Sequence, residues 1–284
     1  SDRTAPAAVR QVPPGSIPAA GIGAALSATG IDEPADRRAR EDSGMQVFGP
    51  VLYMDVQKTG STFVTGFLAD NVRYAHERTR KHSRLQRTKR PEEIVLLTSR
   101  DPLGAWLSLY NYGCTGVGRL RRRLDRRGIG ERFYSGDPDD FDAWVGHLLS
   151  ADAVADLGED YAALAHLGIG FATFRELVLS FDRPLRRFAT WDSLDDVREA
   201  YQRDTCIDVR LRHRNLNDDL ISACHGPLHK HLRTDADPVA YLVHAERVNS
   251  SPPRVRSDDV LDATRDRILS AEDLWFWMDE QWPV

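Results

Sequence analysis

From position 47 onward, short apolar runs recur along the chain, each followed by a stretch with helical spacing. Val51-Leu52-Tyr53-Met54-Asp55-Val56 reads as a buried strand. Residues 61–69 then place Phe63, Phe67 and Leu68 on one side of a helix. A second apolar run, 94–98, again predicts a strand, and Pro102 suits the first turn of the helix that follows. Leu103, Trp106, Leu107 and Tyr110 give that helix an apolar stripe. Two strand–turn–helix units roughly 45 residues apart predict a parallel sheet in an α/β fold. A third strand is expected at 206–211, with a helix from about Leu216. Further helices are expected at 141–149, 161–167, 171–181, 258–269 and 271–282, so the fold carries helix-rich insertions.

The first 44 residues have a different texture. They hold ten Ala, five Pro and five Gly, and no aromatic residue precedes Phe48. Such a stretch buries too little apolar surface to offset its ordering entropy, so 1–44 reads as a flexible linker, a tail or a remnant foreign to the domain. The domain is expected over 45–284. Arg3 and Arg10 ahead of 17–26 resemble a signal peptide only weakly, because Pro18, Gly21 and Gly23 interrupt the apolar part. Over 284 residues, 41% apolar and 29% charged positions fit one large globular domain. A net charge of −5 argues against a general nucleic-acid coat protein. No apolar run is long enough to predict a membrane span. Cys114, Cys206 and Cys224 are odd in number and have no paired spacing. They predict neither a disulfide framework nor a four-cysteine zinc site, and they favour a reducing, cytoplasmic setting.

Chemistry concentrates in Gln57-Lys58-Thr59-Gly60-Ser61-Thr62, between a strand and a helix. The first backbone N–H groups of a helix lack intrahelical partners, and that end is electropositive. Gly60 lets the chain approach an anion, Ser61 and Thr62 offer hydroxyls, and Lys58 adds a full charge. An ordinary capped turn is the alternative. The nucleotide loop Gly-x-x-x-x-Gly-Lys-Ser/Thr is not present, since the lysine here precedes the glycine. A second segment, Ser99-Arg100-Asp101-Pro102, ends the next strand, and Ser108 lies eight residues after Arg100. An arginine at a strand's carboxyl end and a hydroxyl about two helical turns on can grip a further phosphate. A surface ion pair for Arg100 is the alternative.

These two segments together resemble sulfotransferases that use 3′-phosphoadenosine 5′-phosphosulfate (PAPS). Lys58-Thr59-Gly60-Ser61-Thr62 is similar to their 5′-phosphosulfate loop, and Arg100-Asp101-Pro102 through Ser108-Leu109-Tyr110 to their 3′-phosphate segment. Weaker likenesses are Arg214-Asn215-Leu216-Asn217-Asp218-Asp219-Leu220 to a strand-to-helix element, and Val248-Asn249-Ser250-Ser251 with the helices of 258–277 to the C-terminal part. The pattern is closer to the carbohydrate-type and bacterial members, and Gln57 stands where many relatives have proline. The resemblance implies a P-loop-like parallel sheet flanked by helices and transfer of a sulfuryl group from PAPS to an acceptor hydroxyl. The product would be PAP (3′-phosphoadenosine 5′-phosphate), and no metal would be required. It implies that Lys58 stabilises the departing phosphate, that the amides of 59–62 hold the 5′-phosphate, and that Arg100 and Ser108 hold the 3′-phosphate. By the same resemblance Asn249 and Arg254 lie in the loop over the adenosine. Relatives place a catalytic His or Glu between the two motifs. His82 is the first choice for that general base, with Glu77 and His76 as alternatives, and each is equally readable as a solvated loop residue.

The acceptor is expected to be a small molecule or glycan bearing a hydroxyl, with no nucleic-acid partner. Two other readings stay open: a kinase-like transferase using magnesium and ATP, and a silent module that binds PAP without transfer. The six arginines of 119–127 read as a solvated helix face, or as an attractor for an anionic acceptor. Trp275, Phe276, Trp277 and Trp282 read as core or interface.

Overall fold

The computed structural model describes residues 45–77, 84–244 and 253–282. The chain divides into two units, Ser1–Pro34 and Ala35–Val284, and every described residue belongs to the second. The expected tail at 1–44, the expected base His82, and Asn249 all lie outside the described residues.

Five strands form one sheet: β1 (Gln46–Phe48), β2 (Val51–Met54), β3 (His76–Glu77), β4 (Ile94–Ser99) and β5 (Val209–Arg212), in the order β3-β1-β2-β4-β5. The β2–β4 and β4–β5 pairs are parallel, as the strand–turn–helix pattern predicts. The β1–β2 and β1–β3 pairs are antiparallel, so the sheet is mixed rather than purely parallel. The reason is a hairpin. Phe48 pairs with Val51 across the two-residue turn Gly49-Pro50, and Gly49 takes φ +59. A Cβ at Gly49 would come within 2.7 Å of the Tyr74 ring.

Side chains of β2 and β4 alternate between two buried faces. Val51, Tyr53, Ile94 and Leu96 pack with Val64, Phe67 and Leu68 of α1 (Ser61–Asn71). Leu52, Met54, Val95 and Leu97 face the other way, against Leu179, Cys206 and Ile207. Burial on both faces explains the nearly continuous apolar run of β4. The third predicted strand is real but begins three residues later than the 206–211 reading, because Cys206 and Ile207 pack as a loop.

Most of the other helices build a large satellite core: α2 (Pro102–Cys114), α3 (Arg119–Arg126), α4 (Pro138–Leu148), α5 (Phe171–Ser180), α6 (Leu194–Asp204), α9 (Asp262–Ala271) and α10 (Asp273–Glu280). Helices α7 (Leu216–His225) and α8 (Pro238–His244) instead cover the α1 side of the sheet. The expected helix at 161–167 is broken into two short pieces around Ala163 and Leu164. Helix α6 went unpredicted although Ser193 and Asp196 form a capping box at its start. The arginine run is helical, and much of it is structural. Arg123 donates to the carbonyls of Asp156 and Leu157, and Arg127 pairs with the buried Asp156 at 2.7 Å. Among the described residues no helix is long and apolar enough to cross a membrane.

One buried carboxyl ties the C-terminal helices to the site. Glu272, fully buried, accepts hydrogen bonds from the N–H groups of Ala172 and Thr173 in the first turn of α5. It also accepts from the Thr173 hydroxyl and from the Trp106 indole of α2 at 2.7 Å. Burial pushes its pKa up, and these four donors oppose that shift. A Cβ at Gly170 would overlap the Glu272 carboxyl, so the absence of a side chain there makes room for it.

Candidate functional site

Loop 57–60 follows the end of β2, and Arg100 follows the end of β4, its parallel neighbour. The register Met54↔Leu97 brings both exits to the same edge of the sheet, where open α/β sheets bind ligands. The two motifs meet there. An Arg100 Nη1 N–H donates to the Lys58 carbonyl at 3.1 Å.

The loop itself is held open by local strain and local bonds. Lys58 takes φ +73 and Gly60 φ +93, both left-handed. For a lysine that conformation costs on the order of 1–2 kcal/mol. The buried Thr59 hydroxyl donates to the Val56 carbonyl at 2.6 Å and shares a 2.5 Å hydrogen bond with Thr98, which also contacts the Tyr53 hydroxyl. The Thr59 side chain is thus spent on the scaffold. Helix α1 starts at Gly60 with no side-chain cap and no acidic residue in its first turn. That leaves its electropositive end without a counter-charge of its own. A Cβ at Gly60 would meet Leu216 at 3.4 Å, so the start of α7 packs against the loop.

Lys58 reaches toward α2. Its ammonium lies 4.2 Å from the centre of the Tyr112 ring. Ser108 lies one turn before Tyr112 and is half-buried, which puts it on the same face of α2 as the Lys58 contact. Burial, and then the charge of Arg100, hold the Lys58 pKa below the ordinary lysine range. Burial likewise lowers that of Arg100, with Asp101 opposing. The Arg100 Nε is buried with no hydrogen-bond partner among the described residues. Gly104 makes room for it, since a Cβ there would lie 2.8 Å from that nitrogen.

Arg100 forms one wall of a small cleft. Val56, Gln57, Thr59, Ala105, Leu109, Ala172, Arg175, Glu176 and Trp275 line the rest. Glu176 pairs with the buried Arg210 at 2.7 Å and accepts from the Trp275 indole at 2.9 Å. Its pKa is raised by burial and restrained by Arg210. Arg210 also donates from Nε to Ser99, so this network braces the ends of β4 and β5 behind the cleft.

Of the other expected residues, the two on β3 sit farther off. His76 and Glu77 form β3 at the far edge of the sheet, two strand spacings from β2, or roughly 10 Å sideways. His76 is level with Phe48 and so with Val51, at the start of β2, whereas the loop follows that strand's end. Its Nε2 meets Gln46 at 2.6 Å, and its ring stacks on Phe48. The structure does not bring His76 to Lys58. Arg254 is exposed on a segment clamped to α2, where Asn111 accepts from the N–H groups of Arg254 and Val255. Sequence reasoning passed over Tyr112, Gly104, Arg175 and Glu176. Only Tyr112 carried a local signal, its spacing of four from Ser108. Trp275 is buried as expected, and it also lines the cleft.

A scan against family models, a search of curated proteins and a search of solved structures each give no match.

Proposed function

We propose that this protein transfers a sulfuryl group from PAPS to a hydroxyl of a small-molecule or glycan acceptor, releasing PAP. The Arg100 to Lys58 contact carries the reading, because it joins a guanidinium and an ammonium-bearing loop from two strand ends beside an uncapped helix. A carrier with two separated phosphate groups needs such an arrangement. The fit is good on this chain's own terms: two desolvated cations and an open helix start are short of negative charge.

The amides of 59–62 and Lys58 would hold the 5′ end, Arg100 and Ser108 the 3′-phosphate, and Arg254 with Asn249 the adenosine side. PAPS supplies the activated sulfuryl group when bound. Lys58 places positive charge where the departing oxygen becomes negative, and the Tyr112 ring steers its ammonium. Little covalent work falls to the protein, so positioning carries the rate. For the general base we favour His82; the alternatives Glu77 and His76 both lie on β3 at the far edge of the sheet.

Calorimetric titration with PAP in the absence of magnesium tests the binding step, and labelled PAPS with a panel of hydroxyl acceptors tests transfer. Micromolar or tighter binding of PAP, with turnover, is expected. Binding of ATP only with magnesium would favour the kinase-like reading. Binding of PAP with no transfer to any acceptor would favour the silent module.

A further inference from the structure

The cleft beside the loop contains a second guanidinium that the two sequence motifs do not account for. Arg175 belongs to α5, whose first turn is fixed by Glu272. Ala172, Arg175 and Glu176 follow the i, i+3, i+4 spacing of one helix face, and all three line the cleft with Gln57, Thr59 and Arg100. Glu176 is already engaged by Arg210 and Trp275. Among the described residues no carboxylate forms an ion pair or a hydrogen bond with Arg175, and its guanidinium lies 5.6 Å from the centre of the Phe171 ring. The charges that act on it from a distance are Asp55, which favours the cation, and Arg119, which opposes it. Desolvation dominates and pulls its pKa down to about 10. Arg175 is only partly exposed, and a guanidinium in that setting with no carboxylate partner among the described residues gains when an anion arrives.

We propose that Arg175 is an anion-binding residue of this cleft, which takes a phosphate or sulfate oxyanion of the ligand seated at 57–59. The identity of that ligand as PAPS rests on the function proposed above, while the oxyanion role of Arg175 does not. Arg100 approaches the same space from the end of β4, so the ligand's charge is shared between two guanidinium groups from different elements. Arg175 supplies binding and orientation and takes no part in proton transfer.

The test compares wild type with Arg175→Met, Arg175→Lys and Arg122→Met, the last removing an exposed charge of α3. Each is titrated with PAP, and each is melted alone and with pyrophosphate or sulfate. The expected result is a loss of PAP affinity of about tenfold or more in Arg175→Met. Partial recovery is expected in Arg175→Lys, and no change in Arg122→Met. Without ligand, Arg175→Met is expected to melt at or above the wild-type temperature, because an uncompensated charge has been removed. PAP affinity within about twofold of wild type in Arg175→Met, or a clearly lower melting temperature of that variant alone, overturns the role of Arg175. If wild type does not bind PAP, the sulfotransferase reading fails and the inorganic anions decide. Stabilisation of wild type but not of Arg175→Met then supports Arg175, and no stabilisation of wild type overturns it.

Discussion

Helices α1 and α2 follow neighbouring parallel strands, yet their first turns are built differently. Helix α2 is closed: Asp101 accepts from the Gly104 N–H at 2.6 Å, and Pro102 occupies its first turn. Helix α1 is open: Gly60 stands at its cap position with no side-chain oxygen, after a lysine in the left-handed region. The closed junction anchors Asp101 so that the preceding Arg100 is free to cross to the loop. The open junction keeps its left-handed backbone and has no acidic residue in the first turn of its helix. A capped start and an uncapped start thus stand side by side at one edge of the sheet, where the proposed anion site lies.

Breaking the open junction at its charge has the largest expected effect. Lys58→Ala is expected to lower sulfuryl transfer from labelled PAPS by about a hundredfold or more, while the melting temperature changes little. Unchanged turnover would remove the lysine from the mechanism. Breaking the same junction at its backbone comes next. Gly60→Ala forces a side chain into φ +93 against Leu216, and about 1–2 kcal/mol of stability is expected to be lost in denaturant titration. The closed junction gives the contrasting outcome. Asp101→Ala is expected to cost about 1 kcal/mol of stability through the lost cap, with a smaller effect on turnover than Lys58→Ala. Equal effects of these two variants on turnover would erase the distinction between the junctions.

The smallest effect is a pH slope. The native Lys58 pKa lies below the ordinary lysine value, so the native state binds fewer protons than the unfolded chain between those two values. Stability therefore rises with pH across that window, and anion binding falls as the ammonium is lost. Denaturant titrations at mildly alkaline pH check the sign, and Lys58→Met should flatten both trends.

This contrast also explains what the sequence made legible. Gly60, Pro102 and the apolar runs on either side are local signals, and they located both junctions and the parallel pairing of β2 with β4. Strands β1 and β3 are only three and two residues long, too short to show a periodicity, so the antiparallel edge was missed. The placement of His76 followed from that miss, since register alone puts it at the start of β2 rather than at its end. Arg175 was invisible for another reason. Nothing near it in sequence marks it, and its place beside Arg100 depends on how α5 docks.

That docking depends on Glu272, about a hundred positions further along the chain. A ribosome delivers the loop and Arg100 well before the acid that fastens the start of α5. A nascent chain stalled before that residue is expected to have its strands in place and its second guanidinium unanchored. Any anion contact made by that second guanidinium would then wait for a residue about a hundred positions downstream of its own helix.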